Sequence, residues 1–278
     1  MLDMFIPLPK ENKIMILINQ IKRNWTSNYC EYQDNNPIEN IKNKVIFNIN
    51  DNIRIYDLNV TSKNEDIREE INDDYSCTVI RVGDFMGSSF PGILLNQKVI
   101  YSDENIENHV RLFQIKHLDK DEVNLEENIF EFYYDFNIET LFNEVPTIST
   151  FFDINESNKL SIIIMTKEHN SLFFYNTIND ESFYLKSQLM DDSKNNSEIG
   201  TTYRYIITDK SGEYRMDLFY QLAQTSDMSM SLPYNLIGIG PTNNYIEYFH
   251  VIPNSYGLND SKIITPIIPN SQIIINKG

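Results

Sequence analysis

The segment from His117 to Ile129, HLDKDEVNLEENI, lies near the middle of the chain, and the predicted fold is organised around it. It contains no glycine, proline or serine, the residues that usually mark a linker. Its spaced apolar residues, Leu118, Val123, Leu125 and Ile129, stand among carboxylates instead. Such a pattern is typical of an extended strap that lies on a protein surface and leaves a groove beside it.

The sequence on either side of this strap suggests one structural plan used twice. Predicted helices begin near residues 10, 86, 136 and 213, so that the first and third lie about 126 residues apart and the second and fourth about 127. Each helix is followed by short predicted strands, which favours an α+β fold built from two similar domains of antiparallel sheets with short helices. We expect a first domain at 1–116, a connecting segment at 117–129, a second domain at 130–253 and a tail at 254–278.

The first predicted helix has one apolar and one basic side. Apolar residues recur at helical spacing, and basic residues fall on or beside the opposite side. The apolar residues are Ile14, Leu17, Ile18, Ile21 and Trp25, and the basic ones are Lys10, Lys13, Lys22 and Arg23. Taken alone, this helix is equally typical of a solvated charged face over a core-facing stripe.

Composition limits the classes of function. The 278 residues carry a formal charge of −17, which argues against a protein whose whole surface binds nucleic acid but leaves open a ring with a locally basic lining. No apolar run is long enough for a membrane helix, and no secretory signal is recognisable, so we expect an intracellular protein without a membrane partner.

The residues that usually carry catalysis or bind metals form no recognisable motif. The four histidines and the two cysteines, Cys30 and Cys77, match no metal-ligand spacing, and the common hydrolase and nucleotide-binding signatures are missing. We therefore expect no enzyme activity, no metal and no cofactor.

Three stretches of the sequence resemble the sliding clamps of the proliferating cell nuclear antigen family. KVIFNINDNIRIYDLNVTS, residues 44–62, resembles the hairpin of the family's first domain. HLDKDEVNLEENIFEF, residues 117–132, resembles its connecting loop and the strand that follows. MSMSLPYNLIGIGPTNNYIEYFHVIPN, residues 228–254, resembles its closing segment. The resemblance lies in pattern more than in identity, and it covers roughly residues 1–253.

The resemblance implies a non-catalytic homotrimeric ring that encircles double-stranded DNA without sequence preference, in the nucleus or at a viral replication site. Edge strands VRLFQIK and SLFFYN would pair between subunits. DNA polymerase and other replication or late-transcription proteins would dock beside the strap. The implied DNA-lining residues are Lys10, Lys13, Lys22, Arg23, Lys98, Lys210 and Arg215. The implied partner groove comprises Leu58, Leu118, Val123, Leu125, Pro233, His250, Ile252 and Pro253.

Several residues depart from the clamp pattern. His250 stands where the family usually has tyrosine, and the third predicted helix carries Glu139 and Glu144 but no lysine. These departures fit a divergent viral clamp better than a typical cellular one. The alternative is a β-rich viral interaction protein, or a jelly-roll coat-type protein, that does not bind DNA. The four helices at paired spacing distinguish the two hypotheses, because a jelly roll needs none.

Overall fold

The chain is nearly all β in the part that the structure describes. The computed structural model describes residues 4–17, 53–58, 60, 67–72, 80–88, 90–115, 129–178, 182–191, 196–208, 210, 212, 214–223, 231–242, 245–254 and 261–277. These residues form nineteen strands and a single five-residue α-helix. The predicted α+β clamp fold is therefore wrong.

The strands from β1 to β11, which we call the first half of the chain, form three sheets. Sheet 1 has the order β1-β2-β3, sheet 2 the order β4-β6-β7-β8 with β5 also paired to β6, and sheet 3 the order β11-β10-β9. Their strands are β1 (Met4–Leu8), β2 (Lys13–Leu17), β3 (Ile53–Asp57), β4 (Ile67–Ile71), β5 (Ile80–Gly83), β6 (Gly92–Tyr101), β7 (Ile106–Ile115), β8 (Phe130–Phe136), β9 (Pro146–Phe152), β10 (Ser161–Thr166) and β11 (Ser171–Phe174). All of these pairings are antiparallel.

Sheet 2 is the central layer of this half, because apolar side chains cover both of its faces. Along β6, Ile93 and Leu95 pack in the cluster that contains Ile14 of sheet 1. Leu94 points the other way and packs in the cluster that contains Ile162 of sheet 3. Successive side chains of a strand point to opposite faces, so a nearly continuous apolar run such as GILL suits a strand buried on both sides.

The strands from β12 to β19, which we call the second half of the chain, form a β-sandwich of sheets 4 and 5. In sheet 4, β12 pairs with β13 and β16 and, in parallel, with β19, while sheet 5 has the order β15-β14-β17-β18. Their strands are β12 (Phe183–Asp191), β13 (Asn196–Ser197), β14 (Thr202–Thr208), β15 (Tyr214–Tyr220), β16 (Asn235–Gly240), β17 (Ile246–Ile252), β18 (Lys262–Ile264) and β19 (Ser271–Lys277). The core between the sheets includes Tyr203, whose ring stacks on Phe249 with centroids 5.8 Å apart.

The two halves contact each other through a close approach of backbones. The amide N of Gly238 in β16 donates to Asp84 Oδ2 at 2.8 Å. A Cβ atom at Gly238 would lie 2.0 Å from the carbonyl of Gly87, so only glycine fits this position. The Lys186 ammonium lies 3.5 Å from the buried carboxylate of Asp153 and adds an ion pair across the junction.

In their described residues, three of the four predicted helices are not helical, and Ile18, Ile21 and Trp25 of the first lie outside the described residues. Residues 9–17 form a 3₁₀ turn, Pro9–Glu11, and strand β2, in which Ile14 and Ile16 are buried alternately with the half-buried Met15. Residues 85–88 form turns, and the fourth prediction coincides with β15. Only the third is confirmed, as α1 (Ile138–Phe142). β-Branched residues favour strands when a neighbouring sheet covers them, which explains the error at β2.

The structure also bears on the predicted edge strand, the strap and the tail of the clamp hypothesis. VRLFQIK falls largely in β7, which pairs on both sides with β6 and β8 and is not an edge strand. Residues 117–128 of the strap, Lys22, Arg23 and the two cysteines lie outside the described residues, and Ile129 packs against the core between sheets 1 and 2, so the proposed division at 117–129 stays a prediction. Strands β18 and β19 fall within the predicted tail. In the described part of the chain, no helix is long and apolar enough to span a membrane.

Candidate functional site: the aromatic edge of β8

Strand β8 lies at the end of sheet 2 and exposes a run of aromatic side chains. Aromatic residues stand at alternate positions of its sequence, FEFYYDF, yet Glu131 and the three residues after it are all exposed. The exposed fractions are 40% for Phe132, 43% for Tyr133 and 53% for Tyr134. A strand covered on one face would bury every second residue, so the middle of β8 is open on both faces.

A register shift in β8 explains why three consecutive aromatic residues are exposed. Phe113 of β7 faces Phe132 and Leu112 faces Tyr134, so Tyr133 has no residue opposite it. Such a β-bulge turns side chains away from the regular alternation and is common at sheet edges. Tyr133 meets Phe85 edge-on at 6.3 Å instead of packing over β7.

Helix α1 continues this surface beyond the end of β8. Asn137 caps the helix by accepting a hydrogen bond from Thr140 N at 3.0 Å, and Asn143 ends it in the left-handed conformation. Ile138 is buried, whereas Leu141 and Phe142 are 63% and 47% exposed. We call the exposed apolar side chains of β8 and α1 the aromatic edge. It consists of Phe132, Tyr133, Tyr134, Leu141 and Phe142.

Aromatic contacts beneath the surface hold the aromatic edge in place. The ring of Tyr134 lies 4.7 Å from Phe136, and Phe136 lies 4.8 Å from Phe174 of β11. Phe142 of α1 meets Phe174 edge-on at 6.5 Å. Edge-to-face pairs at these distances are favourable beyond the burial of their area. The exposed rings are therefore the outer members of a packed cluster.

A buried ionic cluster fixes the other face of β8. Arg111 of β7 is 2% exposed, and its guanidinium lies 2.9 Å from Glu69 Oε1 and 2.9 Å from Asp135 Oδ2. Its Nη1 also donates to Gln97 Oε1 at 3.2 Å. Glu69 accepts a further hydrogen bond from Val60 N at 2.8 Å. Because Asp135 belongs to β8, this cluster ties the edge strand to β7 and β4.

Burial and neighbouring charges shift the pKa values of two side chains in and beside this cluster. Burial raises the pKa of Asp135, but hydrogen bonds and charge from His109 and Arg111 outweigh it and hold that pKa below its usual range. His109 Nδ1 lies 2.9 Å from Asp135 Oδ1, and its Nε2 lies 3.3 Å from Glu107. Burial and the neighbouring Glu107 carboxylate raise the pKa of Tyr101. These groups stabilise the sheet beneath the aromatic edge.

A cavity at the junction of the two halves is the other candidate site. Its volume is about 150 Å³, and several polar side chains line it. They are hydrogen-bonded across or along the junction: Asn176 Nδ2 donates to Phe85 O at 2.8 Å, and Asn158 Oδ1 accepts from Gln272 at 2.9 Å. We interpret the cavity as a structural contact between the halves. Within the described residues, no group of three or more His, Cys, Asp or Glu side chains is arranged to hold a metal.

The residues predicted to line DNA do not form one surface. Lys13 lies in sheet 1, 3.8 Å from Glu11, and Lys98 lies in sheet 2. Arg215 lies in sheet 5 and donates from Nη2 to the carbonyl of Ile239. Lys10 is in the 3₁₀ turn and Lys210 in the loop between β14 and β15. These five residues thus lie on strands, a 3₁₀ turn and a loop, whereas Lys22 and Arg23 lie outside the described residues.

The residues predicted to form the partner groove are also separated. Leu58 belongs to the core between sheets 1 and 2. His250, Ile252 and Pro253 lie at the end of β17 in sheet 5, where burial and the charge of Arg204 lower the pKa of His250. Pro233 precedes β16, and its carbonyl accepts from Gln188 at 3.1 Å. Leu118, Val123 and Leu125 lie outside the described residues.

A known family model matches most of the second sandwich. The family model described as "ITFG1, C2 domain" matches residues 194–277, which contain every strand of sheets 4 and 5 except β12. A T-cell immunomodulatory protein homolog of Plasmodium yoelii yoelii is 26% identical over 223 residues, 70% of this chain and 31% of that protein. The human T-cell immunomodulatory protein is 26% identical over 147 residues, 46% of this chain and 24% of that protein.

The chain is thus distantly similar to the T-cell immunomodulatory proteins. The Plasmodium falciparum homolog is also 26% identical, over 226 residues, and the match covers 30% of its length. The chain spans from about a quarter to about a half of the length of these relatives. A pilus 2b backbone protein of group B streptococcus aligns over 76% of this chain and 84% of its own, at 12% identity and a TM-score of 0.21, too low to support an argument.

These matches correct the earlier hypothesis about function. The relatives are T-cell immunomodulatory proteins rather than clamps, and nothing in the comparisons supports DNA, a polymerase or replication proteins as partners. The prediction of a DNA-encircling homotrimer is wrong. The alternative of a β-rich interaction protein agrees better with a C2-like β-sandwich.

The sequence contained two signals that the prediction missed. Phe132, Tyr133 and Tyr134 are adjacent, which breaks the apolar-polar alternation of a strand with one buried face and indicates an irregular edge. Arg111 is a lone charge within the apolar run VRLFQ, and a charge buried in a strand requires partners.

Proposed function

We propose that this chain is a non-catalytic protein-binding module, similar to part of the T-cell immunomodulatory proteins, and that it binds a protein partner through the aromatic edge. The observation that carries the proposal is the consecutive exposure of Phe132, Tyr133 and Tyr134 on an edge strand. Contiguous exposed apolar surface of this kind usually marks an interaction site. Aromatic residues also contribute most strongly at the centres of protein interfaces.

The packing beneath the surface supports a binding role. Each exposed ring rests on another ring: Tyr134 on Phe136, Phe142 on Phe174, Phe132 on Phe113 and Tyr133 on Phe85. The strand that carries them is anchored by the ion pair of Asp135 with Arg111. Rigid aromatic side chains lose little conformational entropy when a partner covers them. A partner would therefore meet a preformed surface.

Selection from a displayed library of protein fragments tests this proposal. Each selected fragment is measured against the parent chain, against Tyr134→Ser/Phe142→Ser, and against the control Tyr214→Ser/Tyr245→Ser. The control removes two exposed tyrosines from the second sandwich, where they are 71% and 58% exposed. We expect the selected fragments to lose at least about tenfold in affinity for the first variant only, equivalent to about 1.4 kcal/mol.

A second outcome of the affinity measurements would refute the proposal. If the selected fragments bind the Tyr134→Ser/Phe142→Ser variant as tightly as the parent, the aromatic edge is not the binding surface. Circular dichroism of each variant establishes that lost affinity does not reflect lost structure.

A further inference from the structure

The free edge of β8 combines exposed aromatic rings with strand geometry. Among the described strands, β8 pairs only with β7, so it ends sheet 2 on that side. An edge strand presents backbone donors and acceptors that another strand can pair with, and natural proteins usually protect such edges with charges, prolines or a covering segment. Residues 131–134 contain one charged residue, Glu131, and neither lysine nor proline. An aromatic, open edge of this kind favours pairing with an extended segment.

The charge around this edge selects the kind of partner. The sequence from Ile129 to Asn158 contains no lysine, arginine or histidine and contains six acidic residues: Glu131, Asp135, Glu139, Glu144, Asp153 and Glu156. Asp135 and Asp153 are paired with Arg111 and Lys186. The remaining four are exposed or half-buried glutamates.

In the described part of the chain, two of these glutamates accept hydrogen bonds from uncharged amides. Glu139 accepts from the amide of Asn108 at 2.7 Å, and Glu144 accepts from the amide of Asn170 at 2.6 Å. Beyond α1, Val145 N donates to a further carboxylate, that of Glu168, at 3.4 Å. The surroundings of the aromatic edge are therefore negative.

We propose that the partner of the aromatic edge is an extended, cationic protein segment that adds to sheet 2 as a strand beside β8. The inference rests on the proposed function and adds the mode of binding and the chemistry of the partner. Alternating apolar and basic side chains would place the apolar ones against Phe132 or Tyr134 and the basic ones towards the glutamates. A second copy of this chain is disfavoured, since each copy carries a formal charge of −17.

A synthetic eight-residue peptide in which lysine alternates with valine tests the proposal by fluorescence anisotropy. The first comparison uses Phe132→Lys/Tyr134→Lys and the control Tyr214→Lys/Tyr245→Lys. Both variants change the net charge equally, so any nonspecific attraction of a cationic peptide falls equally in both. We expect at least about a tenfold loss of affinity for the first variant relative to the control.

The second comparison changes the peptide and keeps the protein constant. Methylation of alternate backbone nitrogens removes the donors along one peptide edge without altering charge, and a glutamate-for-lysine peptide reverses the charge. We expect both peptides to bind at least about tenfold more weakly than the parent peptide.

The possible outcomes separate the two proposals. Equal binding of the methylated peptide overturns strand addition, while a selective loss with Phe132→Lys/Tyr134→Lys would still support the aromatic edge as a binding site. Equal binding of the glutamate peptide overturns the cationic partner. Equal loss in both lysine variants overturns the aromatic edge as the site for a cationic segment, whereas the proposed function is decided by the fragment measurements on Tyr134→Ser/Phe142→Ser. A dimer in light scattering that disappears in Phe132→Lys/Tyr134→Lys would assign the edge to a second copy instead.

Discussion

Replacement of Arg111 by methionine is expected to destabilise the first half of the chain strongly. Arg111 is 2% exposed, and the side chain of its partner Glu69 is also 2% exposed. Without the guanidinium, Glu69 becomes a buried carboxylate that has lost its arginine partner, and Val60 N and, at 3.4 Å, Asn12 Nδ2 still donate to it. Asp135 loses the guanidinium that lies 2.9 Å from its Oδ2 in the same step.

The expected loss of stability follows from the burial of the ion pair between Arg111 and Glu69. Removal of one partner of a buried ion pair typically costs about 3–5 kcal/mol, because the remaining charge is left uncompensated. The control is Arg68→Met on β4, where the arginine side chain is 65% exposed beside Glu70. An exposed pair contributes only about 0–1 kcal/mol. The same substitution should therefore have very different effects at the two positions.

Hydrogen exchange measured by mass spectrometry distinguishes the two halves of the chain. We expect the slowest amides of β6 and β7 to exchange roughly a hundredfold to several thousandfold faster in Arg111→Met, since about 1.4 kcal/mol corresponds to a factor of ten. The amides of β14 serve as an internal reference. In Arg111→Met/Glu69→Gln much of the protection should return, because the buried charge is removed and the acceptor for Val60 N remains.

Two results would refute this reasoning. One is an Arg111→Met variant that exchanges no faster in β6 and β7 than Arg68→Met does. The other is a double variant that is destabilised by the sum of the single effects, since that would show no energetic coupling between Arg111 and Glu69.

Three further predictions concern pH, the junction and the second core. Because the pKa of Asp135 is lowered in the folded chain, its ionised form stabilises the fold above the unfolded pKa, and this contribution is lost as the pH falls below about 4. Calorimetry should show a smaller acid-induced fall in Tm for Asp135→Asn, and an identical fall would contradict the assignment. Gly238→Ala should cost about 1–3 kcal/mol and speed hydrogen exchange at residues 84–88, because its Cβ would lie 2.0 Å from Gly87. As a control, Gly212→Ala, where the added Cβ meets nothing within 4 Å, should leave hydrogen exchange at residues 84–88 unchanged. Tyr203→Phe should destabilise the second sandwich by about 1–2 kcal/mol in thermal unfolding, because its hydroxyl accepts from Leu189 N at 2.7 Å in the core. Tyr205→Phe should cost less, since its partner Asp217 is partly exposed to water, and an equal cost would count against this explanation.

The sequence by itself determined where most of the described strands lie. Alternating apolar and β-branched residues predicted β7, β10, β14 and β17, because side-chain alternation is a local property of a strand. Asparagine residues around IETLF similarly marked both ends of α1. The segments at 10–17 and 214–220 were misassigned because their apolar residues also satisfy a helical spacing. Their strand conformation depends on the pairing of β2 with β1 and β3, and of β15 with β14.

Only the tertiary structure decided which strands are central and which surface remains open. β7 and β8 have similarly apolar sequences, yet β7 is buried between two neighbours whereas β8 ends the sheet and exposes its aromatic residues. The partners of Arg111 come from positions 69 and 135, 42 residues before it and 24 after it. Such contacts form only when distant strands pair, and local sequence patterns do not encode which strands will become neighbours.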